Sequence, residues 1–159
     1  LVNPPAINFR FGRTTYAPCG SLVAATIEPR TGVIAVESVV SVLSAGVQHC
    51  PQMVSGQSQG AIAMALGNVL LEHCPNDRSG PGNGTWNLNR YAIARSTDIP
   101  QQELIVLPPA PGEITARGIA EAVMCPIGPS ILNALAMATG GKRYTATPVT
   151  ARTVLESLT

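Results

Sequence analysis

Two runs rich in apolar and β-branched residues predict a pair of strands near the start of the chain. They cover Leu22–Ile27 and Val33–Leu43, and the segment between them contains Pro29 and Gly32. A short loop with glycine at a position where positive φ is often needed is typical of a β-hairpin. Because the second run is mostly Val, Ile, Ala and Leu, we expect a strand that is covered on both faces.

A helix with one apolar face is predicted next, from Ser58 to about His73. Apolar residues recur there at intervals of three and four positions, which is the spacing of one face of an α-helix. These residues are Ile62, Leu66, Val69 and Leu70. Gly46 and Pro51 mark a turn between the preceding strand and this helix.

Strand and helix patterns are mixed in the rest of the chain. Pro129 is typical of a helix start, Gly140 of a helix end, and Thr147-Pro148 of the start of a last short helix. The predicted elements are extended structure at Trp86–Ala94, a turn at Asp98–Pro100, a strand at Glu103–Leu107 and a helix from Gly128 or Pro129 to Thr139. Because these elements form no regular βαβ repeat, we predict a single α+β domain over residues 1–159, with a mixed sheet and flanking helices.

The composition indicates a surface that something else covers. Charged residues make up 12% of the 159 residues and hydrophobic residues 45%, whereas a typical domain carries about 25% charged residues. We therefore expect a fragment or a subunit that completes a larger catalytic unit, and the start without Met fits that expectation. The net charge of +1 and the lack of a basic cluster argue against nucleic acid as a partner. No apolar run reaches the roughly 18–20 residues of a membrane-spanning helix.

The cysteines do not form a metal-binding pattern. Cys19, Cys50, Cys74 and Cys125 include no C-x-x-C pair, and the chain has only two histidines, which argues against a structural zinc site. We expect isolated buried or half-buried thiols, with a disulfide framework as the alternative.

The motif Gly56-Gln57-Ser58-Gln59-Gly60 has the G-x-S-x-G form of a serine-hydrolase nucleophile elbow. A serine nucleophile needs a histidine base within hydrogen-bonding distance. The single histidine that follows Ser58 is His73, 15 residues on along the same predicted helix, which corresponds to about 22 Å. The other histidine, His49, precedes the serine and gives the wrong chain order. A hydrolase is therefore disfavoured.

The same motif is also suited to bind a cofactor. Its glycines would let a ligand approach the backbone, and a helix start presents free N–H groups to anions such as phosphate. The amides of Gln57 and Gln59 could contact a heterocycle. The alternative is that the glycines only ease the start of the helix.

Glu121 stands out among the carboxylates because small and apolar residues surround it in ARGIAEAVMCPIGPS. A carboxylate that is partly removed from water becomes a better base near neutral pH. The alternative is an exposed glutamate at a helix end. Arg117 could be its charge partner, or could simply face water.

The order of these features resembles the C-terminal part of the molybdopterin-binding subunit of the xanthine dehydrogenase/aldehyde oxidase family, the molybdenum hydroxylases. That family has a TG hairpin turn, a glycine followed by NP, a GQ-x-x-G turn that opens a helix, a Y-x-I…DIP stretch, a KGxGE loop, an NA helix and a late TP. The corresponding residues are Thr31-Gly32, Gly46 with Cys50-Pro51, Gly56–Gly60, Tyr91–Ile93 with Asp98–Pro100, Arg117–Glu121, Asn133-Ala134 and Thr147-Pro148. Ala120 and Arg117 depart from the KGxGE loop, and Cys50 departs from NP.

This resemblance implies a molybdenum-dependent oxidoreductase that is active only with the rest of its complex. The implied reaction is oxidative hydroxylation of an aldehyde or N-heterocycle, with water as the oxygen source. Glu121 would be the general base, and the Gly56–Gly60 turn with Gln57 would bind the pterin. No side chain of this chain would bind the metal.

The resemblance also implies cofactors and partners. The cofactor would be molybdopterin cytosine dinucleotide with molybdenum. [2Fe–2S] clusters and FAD would lie on partner domains or subunits, next to the remaining molybdenum-binding segment.

We expect a cytoplasmic location, with the periplasm as the alternative. A non-catalytic structural or interaction domain of the same fold, with Glu121 idle, is the second class of function.

Overall fold

The computed structural model describes residues 16–73 and 91–158, and the backbone of residues 76–77 and 80–81. The strands are β1 (Cys19–Ile27), β2 (Ile34–Leu43), β3 (Asn76–Asp77), β4 (Gly80–Pro81) and β5 (Gln101–Val106). The helices are α1 (Pro51–Leu66), which continues as a π-helical turn over Gly67–Leu71, then α2 (Met124–Ala138) and α3 (Ala151–Leu158), and a short 3₁₀ turn covers Ser96–Asp98.

The predicted hairpin is confirmed. Strands β1 and β2 pair antiparallel, with Ile27 opposite Ile34 and Cys19 opposite Leu43. Gly32 closes the turn at φ +70°, and its N–H donates to the carbonyl of Glu28 at 2.8 Å. Positive φ is a conformation that glycine adopts without steric cost.

The sheet is mixed, as the α+β prediction requires. Its strand order is β1-β2-β5, and β5 runs parallel to β2, with Leu43 opposite Val106. In the second half of β2, from Ser38 to Leu43, every residue is buried or half-buried, so this half is covered on both faces. The first half instead alternates with exposed residues such as Glu37.

The core lies between the sheet and the helices, where α2 packs on β1 and α1 packs on α2. The predicted apolar face of α1 is largely buried, because Ile62, Leu66 and Val69 are each about 2% exposed. The other large buried side chains of the core are Val39, Leu43, Val123, Ile127, Ile131, Leu135, Val149 and Val154. None of the helices in the described ranges is long and apolar enough to cross a membrane.

Three predicted helix starts are wrong. Helix α1 begins at Pro51 rather than Ser58, because proline at the first helical position loses no hydrogen bond. Helix α2 begins at Met124, so Pro129 lies inside it. Helix α3 begins at Ala151 rather than at Thr147-Pro148. Gly140, at φ +70°, follows α2 as predicted. The predicted extended segment lies mostly outside the described residues.

Candidate cofactor-binding and catalytic site

The fold brings together the two candidate sites that the sequence presented separately. Gln57 lies in the second turn of α1, and its Nε2 donates a hydrogen bond to the carbonyl of Ala120 at 2.7 Å. These residues are 63 positions apart in the chain, and Ala120 directly precedes Glu121. The G-x-S-x-G motif and the carboxylate segment therefore belong to one region of the molecule.

Side-chain hydrogen bonds to the carbonyls of three successive residues hold the segment around Glu121. Gln57 donates to Ala120, the thiol of Cys125 donates to Glu121 at 3.5 Å, and the thiol of Cys19 donates to Ala122. The donors come from α1, α2 and β1, so three elements fix this stretch of backbone. The side chain of Glu121 itself is exposed in this chain. The expectation that neighbouring residues of this chain would remove it from water is therefore wrong.

A cavity of about 410 Å³ lies between the start of α1 and this segment. Its lining contains the cation Arg117 but no carboxylate. The lining residues are Ala45, Val47, Gln48, His49, Cys50, Met53, Val54, Gln57, Ala116, Arg117, Ile119 and Ala120.

The first turn of α1 faces this cavity without a side-chain cap. Cys50 precedes the helix in an extended conformation and makes no capping hydrogen bond, and the first turn contains no acidic residue. The first backbone N–H groups of a helix have no partner within the helix, and they attract anions. Pro51 has no N–H, and the N–H groups of Met53 and Val54 donate to the carbonyl of Cys50 at 3.1 and 3.3 Å, so this turn leaves at most the N–H of Gln52 for a ligand.

Arg117 is a structural cation rather than a partner of Glu121. Its guanidinium forms an ion pair with Glu113 at 2.5 Å and donates to the carbonyl of Ser44 at 3.2 Å and to the hydroxyl of Ser44. The side chains of Arg117 and Glu113 are 22% and 13% exposed. Sequence spacing gave no signal for Ser44, because its contact with Arg117 depends on how the loop folds back on β2, whereas Glu113 precedes Arg117 by four positions.

Backbone hydrogen bonds tie this loop to the end of β2. Arg117 N–H donates to Ala45 at 2.9 Å, and Val47 N–H donates to Thr115 at 3.0 Å. Between them, Gly46 has φ +67°, and a Cβ added there would lie 2.4 Å from the carbonyl oxygen of Thr115. Only glycine allows the two segments to approach this closely.

The structure excludes Ser58 as a surface nucleophile in this chain. Ser58 is 2% exposed, and its hydroxyl donates to the carbonyl of Val54 at 2.9 Å within α1. His73 lies beyond the helix and is exposed. Gly56 and Gly60 lie inside the helix, so their amides are not those of a helix start. The prediction that this motif opens the helix is wrong.

Comparison with known proteins identifies the family. The model of the molybdopterin cofactor-binding domain family matches residues 7–100. The aldehyde oxidoreductase molybdenum-binding subunit PaoC of Escherichia coli is 28% identical over 151 residues, which cover 93% of this chain and 20% of PaoC. This chain therefore spans about a fifth of the length of that relative.

Solved structures show the same fold. The aldehyde oxidoreductase from Desulfovibrio desulfuricans matches with a TM-score of 0.74 and 25% identity, over 86% of this chain and 15% of that one. Quinoline 2-oxidoreductase from Pseudomonas putida matches at 0.77 and 24%, over 86% and 18%. CO dehydrogenase from Oligotropha carboxidovorans matches at 0.80 and 18%, over 97% and 20%. The family match, which covers more than half of the chain, together with the shared α+β fold shows that this chain belongs to the molybdopterin cofactor-binding domain family of molybdenum hydroxylases.

Proposed function

We propose that this chain is part of a molybdenum hydroxylase that oxidatively hydroxylates an aldehyde or an N-heterocycle, with water as the oxygen source. The observation that carries the proposal is the meeting of Gln57 and the Glu121 segment beside an anion-compatible cavity, in a chain of a molybdopterin-binding family. Proteins similar to this chain include an aldehyde oxidoreductase subunit and quinoline 2-oxidoreductase. The chain covers a fifth of PaoC, so the activity is that of the assembled enzyme.

The residues that line the cavity are compatible with an anionic pterin dinucleotide. No carboxylate in the lining opposes a phosphate, and in the first turn of α1 the N–H of Gln52 is not bonded to the Cys50 carbonyl. Gln57 uses one N–H on Ala120, which leaves a second N–H and the amide oxygen for a ligand. Gly56 has open space where a side chain would stand, so a ligand can approach that part of α1 closely. We propose that Gln57 and this first turn contact the pterin.

Glu121 is proposed as the general base. The bound cofactor would supply the two-electron oxidation through its molybdenum. The three hydrogen-bonded carbonyls fix the backbone position from which the Glu121 side chain extends, and that carboxylate would accept the proton. Because Glu121 is exposed in this chain, the remainder of the enzyme must cover it to exclude water and strengthen it as a base.

The base assignment is tested by Glu121→Gln in the assembled enzyme. We expect turnover to fall by about 10²–10⁴-fold, which is the usual contribution of a general base, while the molybdenum content stays near one atom per chain. Glu103→Gln, on the exposed face of β5, is the matched control and should leave both unchanged. Near-normal turnover of Glu121→Gln would contradict the assignment.

The exposure of Glu121 favours one alternative, a structural or interaction domain of the same fold in which this residue is idle. The two functions differ in cofactor content. A catalytic role predicts that acid hydrolysis of the purified complex releases one cytosine nucleotide per molybdenum atom, together with iron and flavin from partner domains or subunits. A complex that contains this chain but no molybdenum would favour the structural role.

A further inference from the structure

Two thiols meet at the segment that carries Glu121. Cys19 lies at the start of β1 and is half-buried, whereas Cys125 lies in the first turn of α2 and is exposed. Both are free thiols. They donate to the carbonyls of adjacent residues, Cys19 to Ala122 and Cys125 to Glu121. The two sulfur atoms therefore contact the carbonyl groups of neighbouring residues.

Strand β1 and helix α2 are in direct contact beside these thiols. The hydroxyls of Ser21 and Ser130 lie 3.0 Å apart, and the hydroxyl of Ser130 also donates to the carbonyl of Ser21 at 3.1 Å. Cys19 and Ser21 share a face of β1, because side chains two positions apart in a strand point the same way. Cys19 thus faces the helix that carries Cys125.

The electrostatics of Cys19 agree with this proximity. Burial raises the pKa of the Cys19 thiol above its ordinary value, and the negative charge of a Cys125 thiolate raises it further. Because susceptibility to oxidation rises with exposure, we expect a peroxide to reach the exposed sulfur of Cys125 first, with the half-buried sulfur of Cys19 beside it.

We propose that Cys19 and Cys125 form an oxidisable dithiol that closes to a disulfide under hydroperoxide. In the first step the Cys125 thiolate attacks one peroxide oxygen of hydrogen peroxide, which gives a sulfenic acid and releases hydroxide. The proton that the Cys125 thiol gave up converts this hydroxide to water. The Cys19 sulfur then attacks the Cys125 sulfur and forms the S–S bond, and the sulfenic oxygen leaves with the Cys19 proton as a second water. The net change is two thiols and one hydrogen peroxide to one disulfide and two waters.

Disulfide formation has a consequence for Glu121. Both sulfur donors leave their carbonyls when they bond to each other, so two of the three side-chain contacts that hold this segment are lost. The bond from Gln57 to Ala120 remains. This consequence for activity rests on the proposed function, whereas the dithiol itself does not.

The test is oxidation of the assembled enzyme with hydrogen peroxide, followed by alkylation of the remaining thiols, proteolysis and mass spectrometry. We expect one peptide pair that joins Cys19 to Cys125, lacks two hydrogen atoms and separates on treatment with dithiothreitol. Cys125→Ser, which keeps a hydroxyl donor for the Glu121 carbonyl, should abolish this pair. Cys50→Ser, at the other exposed free thiol among the described residues, is the control and should leave the yield of this pair unchanged.

Two outcomes would overturn the proposal. One is oxidation of Cys125 to sulfinic acid in the folded enzyme with Cys19 still a free thiol, and the other is pairing of Cys50 or Cys74 in place of Cys19. Because the readout is the mass of a peptide, it does not depend on turnover. Failure of the Glu121→Gln test would therefore leave this result standing, and the reverse also holds.

Discussion

At the scale of single residues, Gln57 links a helix to the segment of the proposed base. Its Nε2 lies 2.7 Å from the Ala120 carbonyl, although the residue as a whole is exposed. A hydrogen bond of this kind contributes about 0.5–1.5 kcal/mol. Its loss should therefore loosen the segment around Glu121 without unfolding the domain.

Gln57→Leu tests this link. Leucine keeps the approximate size of the side chain but cannot donate to Ala120, so we expect kcat of the assembled enzyme to fall about two- to tenfold. Steady-state kinetics and molybdenum analysis are the measurements. Gln59→Leu, on an exposed position of the same helix, is the matched control. Equal kinetic effects of the two variants would mean that the contact with Ala120 has no special role.

At the scale of elements, the loop after β2 depends on one glycine. Gly46→Ala places a Cβ against the Thr115 carbonyl and forces a side chain into positive φ. Such strain costs about 1–3 kcal/mol, so we expect the free energy of unfolding to fall by that amount in urea titrations followed by circular dichroism.

The control for this prediction is Gly20→Ala. Gly20 lies in β1, and a Cβ added there has no atom within 4 Å. A substitution of this kind usually changes stability by less than about 0.5 kcal/mol. If both variants unfold like the unmodified chain, the close approach of β2 to the Thr115 segment does not hold this loop in place.

Local patterns predicted the elements better than their boundaries. The hairpin followed from turn chemistry, since Gly32 and Pro29 act within a few residues of the strands they join. The start of α1 did not follow, because Pro51 reads equally as a turn residue and as a first helical residue. The burial of Ser58 was not predicted, for the same reason. Because α1 begins at Pro51, Ser58 lies in the second turn of the helix rather than at its start.

Contacts between distant segments could not be read from the chain. The sequence indicated Gln57 and Glu121 separately, but neither periodicity nor composition indicates that α1 reaches Ala120. The contact of Arg117 with Ser44 was missed in the same way, because it forms only when the loop folds against the end of β2. The fold class and the candidate residues were thus available from sequence, whereas their arrangement required the structure.

At the scale of the whole molecule, an apolar groove runs between β1 and α2. Leu22 and Met137 line this groove of about 580 Å³, and they are 74% and 84% exposed. Exposed apolar surface of this kind favours association. The net charge of +1 provides little repulsion between copies.

We expect the chain on its own to self-associate through this groove, and Met137→Lys to weaken that association. Burial of one such side chain contributes about 1.5–3 kcal/mol, so its loss should raise the dissociation constant about tenfold or more. Sedimentation velocity over a range of concentrations measures the effect. Ile114→Lys is the matched control, because Ile114 is 86% exposed and does not line the groove. A chain that stays monomeric at every concentration, or an equal effect of the two lysine variants, would show that this groove does not drive association.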